Sequence, residues 1–244
     1  EFGMFLRMLK QTRARTLVSF FTSEFSRVGK DTAKSICELA GMSVNTKPNS
    51  ISREEAEIIW KVIQQMKLAA PPTNCLSPVG SDAIEKSLQK ELNPEFVVAI
   101  TRKPTVYGGN PFLVEVGLAY GGDIPSEGAV SIYRYANRMP LLYEQSACAI
   151  TRAIMDVDWR RYGLSQPNGS LPYGPLAIAV HFASVWVPYT SEGKEAIASY
   201  PEIIREIKLA LQEAGRKLGA YLSAKRKEQM RERKINLFLR YSPE

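Results

Sequence analysis

From Pro201 to Arg240 the chain runs about forty residues without another proline, and no other stretch constrains the fold as strongly. Pro201 is well placed at the first helical position, where its missing N–H costs nothing. Ile204, Ile207, Leu211, Ala214, Leu218 and Tyr221 follow at steps of three and four, a narrow heptad seam. Forty helical residues reach about 60 Å, roughly twice the width of a small domain. Such a helix must project from, or run along, something larger. Beyond Tyr221 the seam gives way to Lys225, Arg226, Lys227, Arg231, Arg233 and Lys234, a solvated helix face or a track near nucleic acid. The last apolar residues, Leu237, Phe238 and Leu239, then have nothing local to bury them and form an expected docking patch.

The residues before this helix change character once. Phe5 to Phe21 has the rough spacing of one basic amphipathic helix, and Ser26-Arg27-Val28-Gly29-Lys30 is a tight basic turn. Asp31 begins a helix that stops at Gly41, and Ser52-Arg53-Glu54-Glu55 reads as a capping box opening the next. A further helix is expected from Asp82 to Leu92. Phe96 to Thr101, Phe112 to Tyr120, Ala129 to Ala136, Arg138 to Tyr143 and Leu176 to Val187 then read as strands, with a helix from Cys148 to Val157. The expected class is α+β: an all-helical domain over residues 1–93, an α+β domain over 94–200, and the long helix over 201–244.

Lys and Arg number 32 against 25 acidic residues, a net charge of +7 that suits a nucleic-acid or acidic partner. Three cysteines, Cys37, Cys75 and Cys148, stand far apart without a C-x-x-C, so neither a disulfide framework nor a zinc site is indicated. No metal site is expected. The sequence carries no apolar run of membrane-spanning length and no signal-peptide layout at Glu1-Phe2-Gly3-Met4, so a soluble, cytoplasmic protein is expected, without a membrane partner. Because helical patterning begins almost at once, the chain reads as a fragment.

Val187-Pro188-Tyr189-Thr190-Ser191-Glu192-Gly193-Lys194-Glu195-Ala196-Ile197-Ala198 is a loop after a strand with a lysine beside glycine. As a Walker loop it fails: Pro188 stands where Gly is needed and Glu195 where Ser or Thr is needed. Read by itself, Lys194 is a solvated surface charge. His181, the single histidine, sits on an expected strand, where a core or hydrogen-bonding role is expected.

Several segments in the correct order resemble archaeal topoisomerase VI B subunits: Ala14-Arg15-Thr16-Leu17, Phe25-Ser26-Arg27-Val28-Gly29, Thr32-Ala33, Cys75-Leu76-Ser77-Pro78-Val79-Gly80, Asn110-Pro111-Phe112-Leu113-Val114-Glu115-Val116, Ala119-Tyr120-Gly121-Gly122 and Asn137-Arg138-Met139-Pro140-Leu141-Leu142. His181-Phe182-Ala183-Ser184, leading into 187–198, belongs with them. The resemblance implies an S13-like helix-two-turns-helix domain, followed by a transducer of the ribosomal-protein-like left-handed βαβ type. It also implies that Lys194 reaches the γ-phosphate of ATP, with ATP and Mg2+ held mostly by an ATPase domain outside this chain. The E-x-x-x-N helix and D-x-G-x-G loop of such a pocket find no counterpart beyond Glu232 to Asn236, a chance match.

Trp159-Arg160-Arg161-Tyr162 resembles a Trp, basic, Tyr segment of the family associated with DNA and the partner subunit, with Arg160 where lysine is usual; its two readings are a grip on a phosphate backbone and an ordinary aromatic anchor at the domain edge. Arg27 and Lys30 flank a helix start suited to a phosphate. The implied partners are the topoisomerase VI A subunit, a second B subunit on ATP binding, and double-stranded DNA, with Leu237, Phe238 and Leu239 as the A-subunit contact. DNA-cleaving chemistry belongs to the A subunit, so none of the 11 tyrosines is assigned it. The alternatives are a non-enzymatic nucleic-acid-binding module and a scaffold.

Overall fold

The structure, a computed structural model, describes residues 2–66, 72–167 and 169–241, and the side chains of 237–241 lie outside the described residues. The chain divides into two compact units, Glu1–Pro72 and Thr73–Glu244.

The first unit is helical: α1 (Phe2–Gln11), α2 (Leu17–Glu24), α3 (Lys30–Leu39), a 3-10 turn at Pro48–Ser50, and α4 (Arg53–Gln65). The single helix expected over Phe5 to Phe21 is therefore two. Two threonines divide it. The Thr12 hydroxyl accepts from the Ala14 N–H at 3.2 Å, and the Thr16 hydroxyl caps α2 by accepting from Ser19 N–H at 3.1 Å. The Leu17 N–H donates to Thr46 O rather than up the helix. Local side-chain acceptors of this kind compete with helix continuation. The basic turn and the capping box form as expected: Gly41 closes α3 at φ +68°, and Ser52 and Glu55 cap α4 reciprocally. Phe5, Phe20 and Phe21 are buried at the centre, with Phe5 5.4 Å from Trp60 and Phe20 5.7 Å from Phe25 between ring centroids.

The second unit contains α5 (Ser81–Leu92), β1 (Phe96–Thr101), β2 (Thr105–Tyr107), β3 (Asn110–Tyr120), β4 (Ser131–Ala136), β5 (Met139–Pro140), α6 (Ala149–Met155), β6 (Leu176–Ser184) and α7 (Pro201–Tyr241). The sheet order is β1-β3-β6-β4-β5, with β2 beside the start of β3. Pairing is antiparallel except for β4 with β6, which α6 connects in a βαβ unit. The strand expected over Arg138 to Tyr143 shrinks to β5. Pro140 brings no N–H to a ladder, and the Arg134 guanidinium takes the carbonyls of Leu141 and Tyr143 at 2.9 and 2.8 Å.

Period-two alternation decides which helix covers which face. Phe112, Val114, Val116 and Leu118 of β3, with Leu176, Ile178, Val180 and Phe182 of β6, share one core with α6 and α7. The opposite face has a floor of small residues, Gly117, Ala119, Ala177 and Ala179, against which Ile84 and Leu88 of α5 pack. A Cβ on Gly117 would lie 2.6 Å from both, so the glycine sets how closely α5 approaches. Because α5 packs on β1 and β3, it belongs with the sheet. The division thus falls at Pro72–Thr73, not at residue 93.

α7 runs to Tyr241 as one helix, but its buried stripe is wider than the expected seam: Ile203, Ile207, Ala210, Leu211, Ala214, Leu218 and Leu222 are buried, while Ile204 and Tyr221 are half-buried. This is the broad stripe of a globular helix lying on a sheet. Past Leu222 the described side chains are almost all exposed.

Candidate functional site

The loop between β6 and α7 is braced at its base and open at its tip. Thr190 N–H donates to Ala196 O at 2.9 Å and Ala198 N–H to Pro188 O at 2.7 Å, with Tyr189 bridged to Ile197 in antiparallel fashion. Ala196 and Ile197 are fully buried, and the Ile197 carbonyl accepts from Ala149 N–H at the start of α6. The tip is a turn in which Lys194 N–H donates to Ser191 O at 3.2 Å. Lys194 has φ +56°, a left-handed conformation that costs a side-chain-bearing residue about 1 kcal/mol or more. Its side chain is exposed and makes no ion pair or hydrogen bond among the described residues. An exposed lysine thus stands at the tip of a hairpin whose base is buried, and the hairpin runs into Pro201 of α7 within a few residues.

The Trp159–Tyr162 segment is a 3-10 turn whose residues divide by role. Trp159 is fully buried, donating from Nε1 to Ile154 O at 2.8 Å, so its indole cannot meet a ligand. Of the two readings of this segment, Trp159 is the aromatic anchor and not a grip on DNA. Tyr162 packs on α7, its ring against Gly215 and its backbone against Gly219. Arg160 and Arg161 are exposed and share Asp158, at 2.8 and 3.3 Å. The hydrogen bond from Arg160 holds the Asp158 carboxyl below its ordinary range.

In the helical unit, Arg27 and Lys30 are both exposed around the start of α3, and Arg27 has φ +59°. Gly29 caps α3 without a side-chain hydrogen bond, leaving first-turn N–H groups beside Lys30, although Asp31 also stands in that turn. Leu237, Phe238 and Leu239 lie within α7, but their side chains are outside the described residues.

Sequence reasoning missed a buried polar cluster beneath α5. Glu115 is fully buried and accepts from Val79 N–H at 2.7 Å, Gly80 N–H at 2.8 Å, Thr101 Oγ1 at 2.8 Å and His181 Nδ1 at 2.8 Å. His181 Nε2 accepts from Arg138 N–H at 3.0 Å, the pattern of an imidazole protonated on Nδ1. Burial pushes the Glu115 carboxyl up, but His181, the two backbone N–H groups and Thr101 outweigh it and bring it down to about 2. The sequence pointed to His181, whose expected hydrogen-bonding role is met here, but the only signal for its partner was a glutamate inside an otherwise apolar strand.

The second unit is thus a mixed sheet with a long helix on one face and a lysine-tipped hairpin leading into that helix. The chain belongs to the topoisomerase VI B-subunit transducer family, whose model matches residues 71–234 and so begins two residues before the second unit. Among curated proteins it is similar to the B subunit of type 2 DNA topoisomerase 6 from Archaeoglobus fulgidus, 50% identical over 93% of this chain and 38% of that protein. The protein of the same name from Methanosarcina mazei is 47% identical over 91% of this chain and 36% of its own length, and that of Saccharolobus islandicus 40% over 95% and 43%. The chain thus spans well under half the length of these relatives. The gyrase protein from Myxococcus xanthus that corresponds to a B subunit, known from a crystal structure, is a distant likeness, with TM-score 0.37 and 16% identity over 55% of this chain and 38% of that one.

Proposed function

We propose that this chain is the coupling part of a topoisomerase VI B subunit, relaying ATP binding in a neighbouring ATPase domain through the transducer and α7 to a DNA-cleaving A subunit. The observation that carries this reading is Lys194: an exposed ammonium without an ion pair or hydrogen bond among the described residues, on a hairpin whose buried base runs directly into α7. A terminal phosphate bound beside the tip supplies the concentrated negative charge such a cation can hold. From there Lys194 senses whether the phosphate is present and offsets charge that develops as it leaves. Among the described residues no group of three or more His, Cys, Asp or Glu stands together where it could hold a metal ion. No helix of the described residues is long and apolar enough to cross a membrane.

Arg160 and Arg161, with Arg27 and Lys30 in the helical unit, are the cations proposed to meet double-stranded DNA. Leu237, Phe238 and Leu239 are the proposed A-subunit contact, and ATP binding is proposed to bring two B subunits together. The test is Lys194→Ala in a full-length B subunit paired with its A subunit. Losing one charge-assisted contact of roughly 1.5 to 3 kcal/mol slows ATP turnover about ten- to a hundredfold while the melting temperature barely moves. Unchanged turnover returns Lys194 to the status of a surface charge.

A further inference from the structure

α7 carries two glycines one turn apart, Gly215 and Gly219, in the middle of its buried half. Each costs the helix about 1 kcal/mol relative to alanine, so the pair is a liability unless something uses the missing side chains. Tyr162 uses them. A Cβ on Gly215 would lie 2.5 Å from Tyr162 Cε2 and 2.7 Å from Cδ2, and a Cβ on Gly219 would lie 3.3 Å from Tyr162 Cα. The ring therefore occupies a notch that only glycine leaves open. It meets the buried Trp159 edge-on at 6.1 Å, so the notch connects to the core rather than to a mobile surface residue. Further along the helix, Arg226 donates to Gly163 O at 2.7 Å.

Elsewhere on the same stretch of helix, Tyr221 stacks on Phe96 at 4.7 Å and donates to Glu95 at 3.2 Å, and Lys225 pairs with Glu95. These contacts would tolerate a small rotation of α7, because they use long side chains at a half-exposed surface. The notch would not. Sliding or turning α7 by one residue brings Arg216 or Leu218 toward the tyrosine ring where a glycine had been.

We infer that Tyr162 and the Gly215–Gly219 notch are a register lock. On this assignment Tyr162 is a positioning residue that makes α7 and the 159–163 turn move as one body, not a nucleic-acid contact. Arg160 and Arg161, which Asp158 orients on that turn, then keep a constant relation to α7 whatever the lysine hairpin does. The inference rests on the coupling role proposed above for α7.

The experiment places Tyr162→Ala, Tyr162→Phe and Gly215→Ala in a full-length B subunit paired with its A subunit. ATP turnover, DNA relaxation per ATP consumed and the salt dependence of DNA binding are then read. The expected result is that Tyr162→Ala and Gly215→Ala leave ATP turnover and the salt slope unchanged and lower relaxation per ATP about tenfold, while Tyr162→Phe behaves as the parent. Should Gly215→Ala fail to fold, Tyr162→Ala still decides, since it removes atoms rather than adding them. The lock is overturned if Tyr162→Ala keeps full coupling, if it lowers turnover and relaxation equally, or if Tyr162→Phe is as damaging as Tyr162→Ala and flattens the salt slope. A parallel Lys194→Ala arm separates the two ideas: normal turnover there sinks the phosphate role of Lys194 and leaves the coupling ratio of the Tyr162 variants readable.

Discussion

Glu115 shows how one residue can organise several elements. Its two oxygens hold the Val79–Gly80 backbone at the start of α5, Thr101 at the end of β1, and His181 on β6, which in turn holds the Arg138 N–H after β4. The carboxyl titrates near 2 in the fold against an ordinary 4.5, so its folded value is depressed. A depressed carboxyl contributes stability that is fully present above the unfolded value and is lost as pH falls through the folded one. The window therefore runs from about pH 4.5 down to 2, and the contribution is roughly 3 kcal/mol. Glu115→Gln is expected to lose about this much at pH 7, since an amide cannot accept from all four donors. Denaturant unfolding of both proteins at pH 7, 4.5 and 3 checks it: the parent weakens over the acid window and the variant does so much less. Parallel losses in the two proteins would mean that other carboxylates carry the acid sensitivity.

At the scale of elements, α7 is two helices in energetic terms. From Ile203 to Leu222 it has a buried stripe against the sheet and α6, and beyond that it keeps only surface contacts. Lys225 with Glu95 and Arg226 with Gly163 lie past the stripe, and solvent screening leaves pairs at such exposure little to contribute. Truncation after Ala224 is accordingly expected to lower the melting temperature by only a few degrees. It removes the whole proposed docking patch, and association with the A subunit is expected to disappear. Thermal melting and co-purification read the two outcomes separately. Retained A-subunit affinity in the truncated protein moves the docking surface onto the sheet domain.

For the whole molecule, the net charge of +7 matters only through where the cations stand. If Arg27 and Lys30 meet phosphates, removing both lowers the slope of log affinity against log salt by nearly two, with no change in sequence preference. Binding measured from low to moderate salt reads that slope. An unaltered slope makes the helical unit a spacer and leaves DNA contact to the Arg160–Arg161 turn and α7.

Periodicity and punctuation were enough to read most of the elements from the sequence. The strands Phe96–Thr101 and Leu176–Ser184, the capping box at Ser52, and one long helix from Pro201 are local consequences of apolar alternation, capping side chains and the absence of proline. The motifs also singled out Lys194, and its exposure needed no tertiary argument because a Gly-Lys turn between buried segments points outward. Other features were illegible for a common reason: each depends on a partner far away in sequence. The break at Thr12–Thr16 needs Thr46 to take the Leu17 N–H. The place of α5 needs the small residues of β3 and β6 beneath it. Trp159 reads as a candidate ligand contact until the core closes over it, and Tyr162 until the two glycines of α7 arrive more than fifty residues later. Local sequence determined which segments are helix, strand or turn, because those preferences act over a few residues. Only the tertiary structure decided which polar and aromatic side chains remain available, because burial belongs to the packed assembly of segments and not to any one of them.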